Sequence, residues 1–407
     1  MTALSVLVVA TKSPWPPVDG GRLLLSLTLE GLAVAGCRVT LVAPAVVSRE
    51  VEEKLREWCE PVLVPAGPVS PAAALVRSWR GRLPLAMARH ARPAVRREVE
   101  RRLAAERFDI VHVEQLQALS HAEPAFRLGI PVVLRAQNVE SDLWAATARR
   151  TTGLKGKILE IEAQRLARWE GKAVRRVAAT FPLSQEDAAR LGELSGGGGR
   201  VRVVRAPFPE LSSGPSTLPG DPPVVLLASR GWLPNEDSVA WFLREVWPAV
   251  RAAVPGAVLH VFGADPDAQS SPGAIHHPSP KDSAEAFAPG SILTVPLRIA
   301  SGVRMKILEA WARGVPVVGT PAAVAGLEVK DGREALVAAD PPAFARAVAR
   351  LHREPGLTQR LVENGRLARR ERHDPTRVVT DLLAAYREMG MPRQHSIPRR
   401  QQIDDRT

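Results

Sequence analysis

The stretch Ile292-Leu-Thr-Val295-Pro296-Leu-Arg-Ile-Ala-Ser301-Gly302-Val303-Arg304-Met-Lys306-Ile-Leu-Glu309-Ala-Trp-Ala-Arg313-Gly314-Val-Pro-Val-Val-Gly319 decides the fold. Ile292–Val295 is a short apolar run, as in a buried strand. Pro296–Gly302 reads as a loop, and Val303–Arg313 as a helix that Gly314 stops, because glycine just past a helix accepts the left-handed backbone of a C-cap. Val315–Gly319 is a second strand. Strand, loop, helix, strand in that order predicts a parallel sheet with covering helices.

The same grammar extends outward. Upstream, strand Val224–Ala228 leads through the loop Ser229–Asn235 to a helix over Asp237–Ala252 and a strand over Ala257–Phe262. Downstream lie helices near Pro342–Glu354 and Leu357–Glu371, then a last helix over Thr376–Met389. The first half repeats the pattern. Strand Leu4–Ala10, loop Thr11–Gly21, helix Arg22–Ala35, stop Gly36 and strand Arg38–Ala43 form a βαβ unit. Further strands are predicted at Pro61–Pro65, Ile110–Val113, Pro131–Arg135, Ala178–Pro182 and Val201–Arg205. A long helix is expected near Gly156–Val177, and Ser184–Asp187 reads as a capping box.

Two such halves fit 407 residues better than one core does. The Pro-, Ser- and Gly-rich run between them lacks periodicity and reads as a linker. The predicted organisation is therefore an α/β chain of two Rossmann-like, doubly wound domains facing a cleft: 1–206, linker 207–223, 224–374, a helix 375–390 returning toward the first domain, and a disordered tail 391–407. In open parallel sheets ligands bind beyond the carboxyl ends of the strands, so the cleft is where chemistry is expected.

The loop–helix start at Ser301-Gly302 is a natural anion site. A helix N-terminus offers unpaired N–H groups and the positive end of its dipole. Arg304 and Lys306 would lie in the first turn, an unfavourable place for cations unless an anion is bound there. For Glu309 alone, a surface ion-pair face with Lys306 or Arg313 explains the spacing equally well. Gly20-Gly21 also stands between a strand and a helix. It is not GxGxxG, and no acidic residue ends the strand Arg38–Ala43, which argues against a nicotinamide cofactor.

Taken whole, Ser301-Gly302-x-Arg304-x-Lys306-Ile-Leu-Glu309-Ala with Gly314 and Pro316 resembles the donor-site signature of glycosyltransferase family 4, in the branch reading S-G-x-R-x-K-I-L-E-A. The resemblance extends to Asp19-Gly20-Gly21-Arg22, Asn138-Val139-Glu140-Ser141 and Trp232-Leu233-Pro234-Asn235. It implies the GT-B fold and retaining, metal-independent hexosyl transfer from a nucleotide-diphosphate sugar, with no other cofactor. The donor would bind the second domain through Ser301, Gly302, Val303, Arg304, Lys306 and Glu309, with Glu309 on the ribose. Gly20 and Gly21 would close over the phosphates. The acceptor, a carbohydrate, lipid-linked molecule or small molecule, would meet Glu114, Asn138 and Glu140.

The sequence departs from the family pattern in three places. Ser301 stands where many members carry a first glutamate. Gln137 stands where many carry a histidine at the transfer centre, and glutamine is neither acid nor base. Arg230 is present, but Asn235 replaces its lysine companion. Gln137, Glu309 and Arg230 are the expected catalytic set, with Arg304 and Lys306 supplying the missing charge. Two other readings fit such a chain: a nucleotide-sugar epimerase on the same fold, and a catalytically degenerate homologue that binds nucleotide or glycan.

Composition narrows the partners. The net charge is +12, but only eight of the 55 basic residues are Lys, so the excess is largely an arginine-rich composition. No zinc finger, RNA-binding aromatic motif or basic zipper is present, and nucleic acid is not expected. Arg89 to Arg107 holds seven arginines with Val95, Val99 and Leu103 interleaved. It is either a solvated face or a docking surface for anionic lipid. Cys37 and Cys59 form no metal or disulfide framework, and His276-His277 lacks further ligands. No apolar run approaches a membrane span, and the N-terminus reads as a buried strand. A cytoplasmic location is expected, with peripheral contact at the inner membrane face an option.

Overall fold

A computed structural model describes residues 3–46, 48–67, 69–212, 214, 217–228, 233–263, 271–280 and 282–390. Each half contains one six-stranded sheet, and all the strand pairs are parallel. The first comprises β1 Ser5–Val9, β2 Arg38–Ala45, β3 Glu60–Pro65, β4 Ile110–Glu114, β5 Val132–Ala136 and β6 Ala179–Pro182, in the order β3-β2-β1-β4-β5-β6. The second comprises β7 Pro223–Leu227, β8 Val258–Phe262, β9 Ala274–His277, β10 Ile292–Val295, β11 Val317–Gly319 and β12 Leu336–Val337, in the order β12-β11-β10-β7-β8-β9. Both orders are the doubly wound Rossmann order, 3-2-1-4-5-6 within each half. The central strands β1, β4 and β5 are buried along their length, as sheets covered on both faces require.

Eight of the helices shape the cleft or the surface of the first domain: α1 Gly20–Val34, α2 Pro71–Gly81, α3 Pro93–Ala105, α4 Glu140–Arg149, α5 Gly153–Arg176, α6 Gln185–Leu194, α7 Met305–Arg313 and α8 Pro375–Gly390. The last, α8, follows the second domain but packs into the first. Val378, Val379, Leu382 and Tyr386 join Val6, Val8, Leu29 and Val39 in one core. The described part of the linker is also packed: Phe208 is buried, and its amide donates to His373 O at 2.7 Å.

Some predicted boundaries shift. The expected strand Val201–Arg205 reduces to a single bridge between Val201 and Thr180. The strands β9 and β12 escape the sequence pattern because one contains two histidines and the other is two residues long. The expected helix Asp237–Ala252 is broken by a π turn at Phe242–Val246, just before Pro248. The tail 391–407 lies outside the described residues. No helix among the described residues is long and apolar enough to cross a membrane.

Candidate active site

The switch points of the two sheets lie between β1 and β4 and between β7 and β10, where strand order reverses. Each feeds a helix whose N-terminus points to the interface between domains. In the first domain Asp19 caps α1, accepting from the Arg22 amide at 3.0 Å. Asp19 is also bound by Lys12 Nζ at 2.8 Å, and these cations and amides outweigh burial to hold its carboxyl below its ordinary range. In the second domain α7 begins at Met305, two residues later than expected, with Arg304 as an N-cap that makes no side-chain cap bond. A Cβ on Gly20 would lie 3.2 Å from Met305 Cγ. The positive ends of α1 and α7 therefore abut, with Lys12, Arg22, Arg304 and Lys306 around them. Two convergent dipole ends and four cations form a strong anion seat.

Arg304 and Lys306 are the least satisfied of these charges. Arg304 is buried, and its Nη1 has no hydrogen-bond partner among the described residues. Burial lowers its pKa to about 10, against the opposing pull of Asp187. Lys306 is driven down to about 8 by burial and by Arg304 beside it. Its Nζ donates to Leu227 O, at the carboxyl end of β7, which puts the ammonium at the switch point. A buried guanidinium without a full counter-charge is costly, and with the half-buried ammonium beside it fits an anionic ligand.

The expected role of Ser301 and Gly302 needs correction. Ser301 Oγ accepts from Val139 N–H at 2.8 Å and donates to Asp187 Oδ1 at 3.1 Å. The Gly302 amide faces the same carboxylate. A Cβ on Gly302, whose φ is +71°, would lie 1.9 Å from Gln137 O. In the amide orientation that satisfies both its ends, Asn138 Nδ2 donates to Gln137 O and Ser301 O, at 3.1 and 2.8 Å. The turn is thus not an open phosphate nest. It is plugged by the first domain, and Asp187 already supplies an anion there. In this closed arrangement the groups that could meet an anion are the uncapped start of α7 and the side chains of Arg304 and Lys306. Val303, also placed among the donor contacts, packs its side chain into the core of the second domain.

Gln137 is buried and fully bonded. It donates to Glu114 Oε1 at 2.7 Å and to Gly21 O at 3.3 Å, and accepts from Gln115 Nε2 at 2.8 Å. Gln115 accepts from Thr11 Oγ1 at 2.7 Å. On the other side, Glu114 Oε2 is bonded to His112 Nε2 at 2.9 Å, and His112 Nδ1 to the Tyr386 hydroxyl of α8. Glu114 is therefore not placed to meet an acceptor: it is 2% exposed and both oxygens are taken within the domain. Gln115 is a residue the sequence reading missed. It holds φ +71° at the end of β4 and lines a small cavity with Thr11, Lys12, Gly21, Arg22 and Gln137. A positive φ on a non-glycine residue is found where surrounding structure enforces it, often at a site. Only its position after β4 hinted at this.

Asn138 and Glu140 remain partly exposed at the start of α4. Burial raises the Glu140 pKa. The amides of Glu140 and Ser141 donate to Glu170 of α5 at 3.0 and 3.2 Å. Glu170, buried and pushed up to about 7, is a second residue missed from sequence, as is Asp187. Glu309 lies one turn into α7, buried, with Oε1 accepting from Ser283 Oγ at 2.6 Å and Arg313 Nε at 3.0 Å. Burial raises its pKa against these partners. Both partners belong to the second domain, so Glu309 sits within that domain rather than against the first. Arg230 lies outside the described residues.

The basic stretch Arg89–Arg107 becomes α3. Its apolar stripe, Val95, Val99 and Leu103, faces the core, and Arg101 and Arg102 are bonded to Glu98, Glu60 and Glu106. It offers no apolar face for lipid. No group of three or more metal-ligating side chains occurs among the described residues.

The domain described as Glycosyltransferase Family 4 matches residues 19–207, and that described as Glycosyl transferases group 1 matches 222–354. No curated protein matches. Among solved structures, the HepE protein of Anabaena in complex with UDP and glucose is similar at 14% identity, covering 95% of this chain and 100% of its own, with a TM-score of 0.65. Sucrose-phosphate synthase from Thermosynechococcus elongatus is similar at 14% identity, 95% and 99% coverage and a TM-score of 0.68. A glycosyltransferase from Rickettsia africae follows at 11%, 96% and 99%, and 0.65. The fold is GT-B, as the two parallel sheets and these neighbours agree.

Proposed function

From a chain built of a glycosyltransferase family 4 domain and a glycosyl transferases group 1 domain, we propose a retaining, metal-independent glycosyltransferase that takes a hexose from a nucleotide-diphosphate sugar. The observation that carries the reading is the abutment of α1 and α7 at Gly20 and Met305, with the buried Arg304 and the half-buried Lys306 beside it. This arrangement is suited to a diphosphate. As the glycosidic bond breaks, the leaving diphosphate gains negative charge. Two helix N-termini and preplaced cations in a water-poor cleft stabilise that charge in the transition state more than in the ground state. Glu309, with only one oxygen bonded among the described residues, is offered to the ribose hydroxyls. Gln137 has no proton to transfer. Its amide would orient the sugar once the domains part enough to admit it, and retention would follow from attack on the face the leaving group vacates.

The acceptor hydroxyl would approach over the first domain, near Asn138 and Glu140 at the start of α4. Closure against Ser301–Gly302 would then exclude water, which otherwise hydrolyses the donor. A panel of nucleoside diphosphates and their sugars tests the reading. The expected result is a rise in Tm with one nucleotide series, and nucleoside diphosphate release that requires an acceptor. The product anomer, read by NMR, should match the donor's. An epimerised donor sugar without acceptor, or tight nucleotide binding with no turnover of any donor, would replace this reading by the epimerase or the binding homologue.

A further inference from the structure

We infer that the groove between α2 and α5 of the first domain docks on an anionic lipid bilayer. Among the described residues, half of the large apolar side chains that stand well exposed lie on these two helices: Leu75, Val76, Trp79, Leu154, Ile158 and Ile161. Trp79 is 82% exposed. Leu75 and Trp79 are one turn apart, and Leu154, Ile158 and Ile161 follow the i, i+4, i+7 spacing of one helix face. The faces flank a groove of about 600 Å³ whose lining includes Leu75, Trp79 and Ile158 together with Arg82 and Arg165. An open apolar surface of this kind on a folded domain marks a binding surface.

Its charge selects the occupant. Arg80, Arg82, Lys155 and Lys157 are exposed around the apolar centre. α2 carries no acid; on α5 beside the groove Glu160 is exposed, and Glu162 is buried, bonded to the Leu85 amide and to Arg165. A second copy of this chain, docked face to face, would bring the same cations against each other. An anionic bilayer instead offers an apolar interior for tryptophan and isoleucine and phosphates for the surrounding cations. The surface is distinct from α3, whose apolar stripe is spent in the core and whose Arg101 and Arg102 are paired with glutamates. It stands independently of the transferase reading.

The test is co-sedimentation of the full chain with phosphatidylcholine vesicles with and without phosphatidylglycerol. The wild type should bind the anionic vesicles and not the neutral ones, with binding that weakens as salt rises. The double variant Trp79→Ser/Ile158→Ser should bind about tenfold more weakly, and Arg80→Glu/Lys157→Glu should lose binding. Arg101→Ala on α3 should bind as wild type. All these side chains are exposed, so Tm and nucleotide-induced Tm shifts in vesicle-free buffer should not move. The proposal is overturned by a wild type that ignores anionic vesicles, by binding that survives both double variants, or by a wild-type dimer that Trp79→Ser/Ile158→Ser dissolves without any vesicle binding.

Discussion

Gln137 donates its side-chain N–H to Glu114 Oε1 at 2.7 Å, and so the one uncharged residue expected at the transfer centre is anchored to a buried carboxylate. The other Glu114 oxygen leads through His112 to Tyr386, the only tyrosine of the chain. A helix that follows the second domain thereby completes the polar network beneath the first domain's half of the cleft. Glu114→Ala leaves donors on His112 and Gln137 without an acceptor and removes the carboxylate whose charge favours the buried Arg135 guanidinium. Each orphaned buried group costs ~1–3 kcal/mol. The expected outcome is a loss of a few kcal/mol in urea unfolding. Tyr386→Phe, losing one hydrogen bond, should cost about 1 kcal/mol. Equal, small effects of the two substitutions would count against the network.

Stability and ligand binding should oppose each other at Lys306. Its lowered pKa means that the native state pays to keep it charged at neutral pH. Lys306→Met should therefore stabilise the unliganded protein by roughly 1–3 kcal/mol, about 1.4 kcal/mol per unit of pKa depression less the lost bond to Leu227. The same variant should lose most of the Tm rise given by a nucleoside diphosphate. A variant that is less stable yet binds nucleotide unchanged would assign Lys306 a structural role only.

The pH dependence has a definite sign. The folded pKa of Lys306 is about 8, below its ordinary value of 10.5. Between these values the unfolded chain holds the proton and the native chain does not, so this residue makes unfolding free energy rise with pH across that window. Diphosphate binding favours the ammonium and should do the opposite. Above pH 8 it should weaken and take up a proton, visible as a buffer-dependent heat in titration calorimetry. No proton uptake above pH 8 would show that the diphosphate does not sense this ammonium.

Gly302→Ala tests the closed contact between domains. The left-handed φ alone costs an alanine about 1 kcal/mol, and its Cβ would strike Gln137 O. The two domains should separate, with a larger radius of gyration in solution scattering and at least a tenfold loss of transfer, while each domain keeps its fold by circular dichroism. An unchanged radius with full activity would mean that closure does not pass through this turn.

The alternation of elements and the stops at Gly36 and Gly314 were legible because strand burial and helix capping are local and periodic. From them came two doubly wound halves and a loop–helix suited to an anion. The resemblance added family roles for Ser301, Gly302 and Glu309. What the chain could not reveal was which polar groups are already satisfied. Ser301 and Gly302 present a phosphate nest in sequence, yet Asp187, Gln137 and Val139 from the other half fill it. Glu114 ends a strand at the cleft edge, yet His112 and Gln137 consume it. The apolar stripe of α3 reads like a membrane face until the core claims it, whereas Trp79 and Ile158 stand exposed. Sequence determined the periodic elements and the chemistry on offer. Only the packing of distant segments decided which of those groups face solvent, ligand or each other, because hydrogen-bond satisfaction and burial depend on neighbours that the local pattern does not specify.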